Sequence, residues 1–285
     1  MMFFLLGDSL VKTLLQTVSY PQLIWLRTLW SMLLLLLFVL ASGKLDQLKA
    51  TKPVQHFLRG LFLAIVSVGY YLSIGNFPLS AVATAFAGAP LIIAAISPLI
   101  MKEKASALQW FSTLIGFVGV CLVLKPDMSN ISWHYLVLLT MPFCYATMML
   151  WSKKLSETES DWALNFYSYI PLLLLSSYSA YQYWSPLSNY EHGLVVISGA
   201  ASATGFVLLV AAFRIGKPVV IAPFEYFSIV MALTIDMVFW HFYPDYLGWL
   251  GVTLIITCAV LQGWQARKKT PLVTPHLRPE DTHTP

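Results

Sequence analysis

Five ionisable side chains stand inside apolar runs of this sequence: Asp8, Lys12, Arg27, Glu225 and Asp236. Burying such a group in hydrocarbon costs about 2.5–3.5 kcal/mol on insertion scales, so each needs a partner, a wet cavity or a function. Asp8 and Lys12 are four residues apart on one helix face, and the simplest expectation is a mutual ion pair. Measured from the outer ends of their helices, Lys12 and Arg27 share a level at a depth of about 9–10 Å. One carboxylate for two cations leaves a positive surplus that a solute carboxylate or phosphate, or another helix, would satisfy. Structural pairing and direct solute contact both stay open for these three residues. Glu225 follows Ala222, Pro223 and Phe224. Proline removes a backbone donor and frees carbonyls to line a cavity, which makes the neighbouring carboxylate a candidate proton or cation site. Asp236 lies on nearly the same face about 16 Å further along, where pairing with a loop group competes with a functional role. Tyr70, Tyr71, Phe86, Tyr145, Tyr226 and Ser228 are candidates to complete a substrate-binding cavity, although each taken singly is more often a packing residue.

Enzyme signatures are missing. The sequence has no HExxH, GxSxG, P-loop or dinucleotide fingerprint. Its six histidines fall at the ends of apolar runs, in loops or in the tail, and none is expected in a helix beside an acidic pair. Cys121, Cys144 and Cys258 sit in apolar segments without metal-ligand or redox spacing and read as packing residues. No catalytic residue, metal site or cofactor is therefore expected, and the chain is not read as an enzyme.

The elements that must position these residues follow from composition. Of 285 residues, 58% are hydrophobic and 11% charged, against roughly 25% charged in a soluble domain. That balance excludes a cytosolic enzyme, a disordered chain and a disulfide scaffold, and it predicts an all-α integral membrane protein. Apolar runs bounded by charge, proline or glycine predict ten transmembrane helices near 2–18, 20–41, 57–76, 79–101, 106–124, 132–151, 162–182, 193–213, 217–241 and 246–265. Of the 17 basic residues, Lys12 and Arg27 lie inside spans, and with a cytoplasmic N-terminus only Lys125 falls outside the cell. Arg59, Lys153, Lys154 and Arg214 are among those assigned to cytoplasmic loops. This positive-inside bias puts both termini in the cytoplasm of a multi-pass protein of the inner (plasma) membrane. Trp133, Trp184, Tyr243 and Tyr246 stand at span ends, where amphipathic rings favour the headgroup layer. The net charge of +4 is scattered over span ends, so nucleic acid is not an expected partner. The start lacks a basic region ahead of its apolar run and reads as a retained first helix. Residues 267–285, with four prolines and few large apolar side chains, read as a disordered cytoplasmic tail.

The two halves repeat. At an offset of about 140 residues, Lys12 and Leu14 fall on Lys153 and Leu155, Leu23 on Leu164, Pro78 on Pro218, and Trp110 on Trp249. Each half carries five spans, and an odd number forces the second half into the membrane with opposite orientation. The expected architecture is two inverted five-helix repeats, 1–125 and 131–266, which is the plan of alternating-access carriers with a site near the midplane.

With those residues set out, the sequence resembles the EamA proteins of the drug/metabolite transporter superfamily over residues 5 to 266. The resemblance is carried by the Asp8, Lys12, Arg27 set, the run HFLRGLFLAIVSVGYYLSIGNFPLS, the block from PLIIAAIS to CLVLKP with Pro90, Glu103, Trp110, Gly116 and Gly119, and the run beginning IAPFEY. It is most similar to the branch with S-adenosylmethionine and riboflavin carriers and opine metallophore exporters. The resemblance implies a transporter of small polar organic metabolites working by alternating access, driven by protons or by exchange. Its solute would be S-adenosylmethionine-like, a flavin or amino-acid-like, and it would work as a monomer or homodimer in contact with membrane lipid. A non-transporting membrane scaffold or sensor on the same fold is the alternative. Where that family's second repeat carries a glutamate after the ninth helix, this chain has His241 and Phe242, so a contact made symmetrically by acids is in doubt here.

Overall fold

Long apolar runs with no buried polar backbone to spare leave helix as the local solution, because a helix satisfies its own peptide groups. The computed structural model describes residues 2–86, 88–101, 107–124, 133–216, 221 and 227–269, and among the described residues no strand forms. The helices are α1 (Met2–Leu14), α2 (Tyr20–Ala41), α3 (Pro53–Asn76), α4 (Leu79–Phe86), α5 (Gly88–Met101), α6 (Ala107–Leu124), α7 (Trp133–Leu155), α8 (Asp161–Gln182), α9 (Asn189–Ile215), α10 (Phe227–Phe239) and α11 (Tyr246–Lys269). A 3₁₀ turn, Leu45–Leu48, precedes α3. Four helices, α2, α3, α7 and α9, are individually long and apolar enough to cross a membrane.

Local signals explain where the helices begin. Pro21 and Pro53 occupy the first turns of α2 and α3, where a missing N–H costs nothing. Ser160 accepts from the Ala163 N–H to cap α8. Ser188 and Glu191 form a reciprocal capping box on α9.

Several boundaries differ from expectation. The first helix ends at Leu14, four residues early, and the chain reaches α2 through turns. The third begins at Pro53 and not at 57, so His56 belongs to it, and Arg59, counted with the loop at that helix end, stands well inside it. Helix α7 runs to Leu155 and carries Lys153 and Lys154 in its last turn. Helix α11 reaches Lys269, so Arg267, Lys268 and Lys269 are helical and not part of a tail. The expected tail beyond them, and most of the expected run 217–226, lie outside the described residues.

Packing sorts the helices. The most extensive pairings are α6 with α11, α2 with α8, α3 with α7 and α8, and α9 with α1 and α2. One buried apolar cluster runs through Val11, Leu14, Leu23, Ile24, Met148, Met149, Leu172 and Phe213. A second joins Leu79, Val82, Leu138, Met141, Ile229, Leu233 and Ile255. Leu37, Phe38, Ile65, Phe111, Leu114, Leu174 and Leu175 point outward and are exposed. An apolar exterior of this kind is a surface built to meet something other than water. Trp133, Trp184, Tyr243 and Tyr246 are exposed too, at the helix ends. The face where α1 begins is called here the N-terminal face, and the opposite one the far face.

Candidate functional site

A cavity of about 200 Å³ lies among α1, α2, α3, α4, α7, α8 and α9, and Ser228 of α10 also reaches it. At about 30 Å³ of liquid volume per water, this is room for about seven waters. Its walls are mostly apolar, and its polar groups converge on one cluster.

That cluster is a buried ion pair dressed with tyrosines. Asp8 Oδ1 accepts from Arg27 Nη2 at 3.1 Å, and Asp8 Oδ2 accepts from the Tyr70 hydroxyl at 2.6 Å. Arg27 Nη1 donates to the Tyr71 hydroxyl at 3.2 Å, and the guanidinium carbon is 5.9 Å from the Tyr71 ring. Asp8 is 6% exposed and Arg27 7%. Gly7 lets α1 approach this closely: a Cβ there would lie 2.8 Å from Arg27 Nη2. Arg27 Nε is buried with no hydrogen-bond partner among the described residues. The aromatic wall is built edge to face, with Tyr70 and Phe86 at 5.4 Å and Phe86 and Tyr145 at 5.6 Å between ring centroids. Such a wall offers π faces to a cation or a flat heterocycle.

The structure thus brings Asp8, Arg27, Tyr70, Tyr71, Phe86, Tyr145 and Ser228 to one cavity. Lys12 is not there, and the expected Asp8–Lys12 pair does not form. An i,i+4 pair is worth only about 0.2–0.5 kcal/mol, and better-buried tertiary partners take both groups. Lys12 Nζ instead lies 3.2 Å from Asp236 Oδ1 and 4.2 Å from the Trp240 ring centre, at the far face. Asp236 is fully buried and also accepts from the Leu79 and Ser80 N–H groups at 3.2 and 2.6 Å. Those are two of the donors that a helix start leaves unpaired, so Asp236 caps α4 while neutralising Lys12. The expected cationic surplus therefore vanishes: two carboxylates meet two cations. Next to this contact, a more open recess of about 320 Å³ is lined by Lys12, Ile74, Asn76, Phe77, Trp240 and Phe242. Glu225 and Tyr226 lie outside the described residues.

Sequence reasoning missed two polar groups near the N-terminal face. Glu159, in the turn between α7 and α8, accepts through Oε1 from the N–H groups of Thr51 and Lys52 at 3.0 and 2.9 Å and from the Thr51 hydroxyl. Its Oε2 lies 3.3 Å from His56 Nε2. Burial pushes the Glu159 carboxyl up, but the hydrogen bonds from Thr51, with the His56 ring close beside Oε2, outweigh it and hold the group below the usual glutamate value. The signal that existed was Pro53 at a helix start, whose preceding donors need an acceptor. Arg59 is the second: expected at a loop, it is 0% exposed inside the bundle.

A family model described as the EamA-like transporter family matches the chain twice, over residues 1–125 and 132–263. The S-adenosylmethionine uptake transporter of Rickettsia prowazekii is 27% identical over 265 residues, covering 92% of this chain and 89% of the relative. A pseudopaline exporter of Pseudomonas aeruginosa is 23% identical, covering 89% of each. A riboflavin transporter of Vibrio cholerae is 23% identical, covering 75% of this chain and 72% of its own. One crystal structure of a protein superposes with a TM-score of 0.70 over 94% of this chain and 97% of its own at 17% identity, which speaks to fold alone.

Proposed function

The chain belongs to the EamA-like transporter family, and from that premise we propose that it carries a small zwitterionic metabolite through the cavity around Asp8 and Arg27 by alternating access. It is a transporter of small molecules, and its named relatives are carriers and not enzymes. The finer arrangement belongs to the proposal: ten spans in two inverted five-helix repeats, 1–125 and 131–266, both termini in the cytoplasm of the inner membrane, as a monomer or homodimer. The basic asymmetry of the sequence and the doubled family match support that reading.

The observation that carries the solute class is the buried Asp8–Arg27 pair facing the cavity, with Arg27 Nε unpartnered. An α-carboxylate entering the cavity takes that vacant guanidinium edge, and an α-ammonium takes Asp8. The exchange of one internal pair for two solute pairs leaves neither Asp8 nor Arg27 a bare charge while the amino-acid head is bound. Tyr70, Phe86 and Tyr145 then present π faces to the remainder of the solute. S-adenosylmethionine, with an amino-acid head, a sulfonium and a purine, has all the groups this lining addresses, and it is the solute named for the rickettsial relatives.

A non-transporting scaffold is not favoured by relatives named as carriers. Counterflow in proteoliposomes separates the two. Vesicles preloaded with unlabelled S-adenosylmethionine should accumulate the labelled compound, whereas a scaffold gives no counterflow of it or of amino acids, flavins or nucleosides.

A further inference from the structure

Arg59 is a fully buried cation without a carboxylate partner among the described residues. Its Nε donates to Ser152 Oγ at 2.6 Å, and its Nη1 donates to the Leu164 carbonyl at 2.7 Å and to the Ser168 hydroxyl. Its Nη2 has no hydrogen-bond partner among the described residues. Neutral acceptors orient the guanidinium but leave its charge uncompensated, which is costly wherever solvent is excluded.

The position of this charge relative to the cavity follows from helical spacing. Arg59 is four residues before Leu63 on α3, Ser152 is four after Met148 on α7, and Ser168 is four before Leu172 on α8. Leu63, Met148 and Leu172 all line the cavity. On three helices at once, the guanidinium is therefore one turn, about 5 Å, below the cavity floor on the side of the N-terminal face. Phe206 touches both: it lines the cavity, and its ring centre lies 5.7 Å from the Arg59 guanidinium carbon. Tyr169, also a cavity residue, packs beside Phe206 at 6.2 Å. Leu155, Leu164 and Val210 form a small apolar cluster of their own. Close approach of α3 and α8 fixes the arrangement, since a Cβ on Gly60 would lie 2.6 Å from Pro171 Cγ.

We propose that Arg59 is a second anion station, which receives the carboxylate of the solute as it leaves the central site towards the N-terminal face, with the Phe206 ring as the door between the two. This rests on the reading of the central cavity as a solute site. The vacant Nη2 and the missing counter-charge are what a carboxylate supplies, and a charge-assisted bond there offsets the loss of the bond to Arg27. Arg27 and Arg59 then act in sequence, so that the anion is never far from a guanidinium.

The test uses S-adenosylmethionine and its decarboxylated analogue as probes with the full-length protein. Arg59→Gln should leave equilibrium binding of S-adenosylmethionine unchanged, because that site is one turn away. Its counterflow should fall by about tenfold, the scale of one charged hydrogen bond, while counterflow of the decarboxylated analogue, already slow in the wild type because it brings no carboxylate to Arg27, falls no further. A merely structural Arg59 would slow both probes alike, and that result overturns the proposal. If Arg59→Gln fails to fold, Arg59→Lys, which keeps the charge but loses the fork, should show the same selectivity to a smaller degree; equal slowing of both probes there also overturns it. Absence of any wild-type binding or counterflow would instead remove the central-site reading, and this inference with it.

Discussion

Two carboxylates from the second half of the chain do the same job at opposite ends of the molecule, and their surroundings differ. Glu159 receives the N–H groups of Thr51 and Lys52 ahead of α3, and Asp236 receives those of Leu79 and Ser80 at the start of α4. Each thus satisfies donors that a helix start cannot satisfy itself. Glu159 adds only a fully buried His56, from the first turn of α3. Asp236 adds Lys12, which keeps 16% of its side-chain surface and borders an open recess. The contact near the N-terminal face is therefore a dry clasp, while the far-face contact is a charged latch that water can reach. A carrier needs a contact of the second kind wherever it must open, because an ion pair next to water exchanges partners cheaply whereas a buried one does not.

Breaking the latch should give the largest effect. Asp236→Ala leaves two buried backbone donors without their acceptor, at a cost to the closed far face of about 1–3 kcal/mol for each, while water takes over Lys12. An impermeant maleimide should label an Ile74→Cys reporter in the recess markedly faster in that background than with Asp236 present. Unchanged labelling would mean that the far face is held by apolar packing and that Asp236 is only a cap.

The clasp should respond more weakly and through stability alone. Glu159→Gln keeps an acceptor oxygen but loses the charge, which should cost about 1–3 kcal/mol in thermal unfolding of the solubilised protein. Labelling of the Ile74→Cys reporter should not change. The sign of its pH dependence follows from the lowered Glu159 value: its contribution is fully present above the usual glutamate value and is lost as pH falls through the lower folded one. Wild type should therefore lose melting temperature over that acidic window more steeply than Glu159→Gln. Parallel acid limbs would contradict the assignment.

Much of this was legible in the sequence, and the failures have a common cause. The apolar runs mark α2, α6 and α8 closely, since hydrophobic length is a property of each segment alone. Asp8, Arg27 and the aromatic residues stand out because charge and large rings in apolar runs are costly or conspicuous wherever they land. Partner choice is different. The spacing of Asp8 and Lys12 suggests a local pair, yet Arg27 and Asp236 take them through tertiary contacts that no spacing encodes. Arg59 reads as a loop cation because it stands near the start of an apolar run, and only the packing of α3 against α7 and α8 buries it. Glu159 reads as one acid in a polar turn, and its role depends on Thr51 and Lys52, more than a hundred residues away.

The central claim is that the Asp8–Arg27 pair in the cavity holds the solute, and substituting Arg27 tests it most directly. Arg27→Ala removes a charge whose burial opposes insertion, so the protein should reach the membrane at the wild-type level. Binding and counterflow of S-adenosylmethionine should both fall by at least about tenfold, because the variant lacks the guanidinium that meets the carboxylate and leaves Asp8 unpaired. Wild-type counterflow in correctly inserted Arg27→Ala would contradict the account and reduce the pair to a packing contact between α1 and α2.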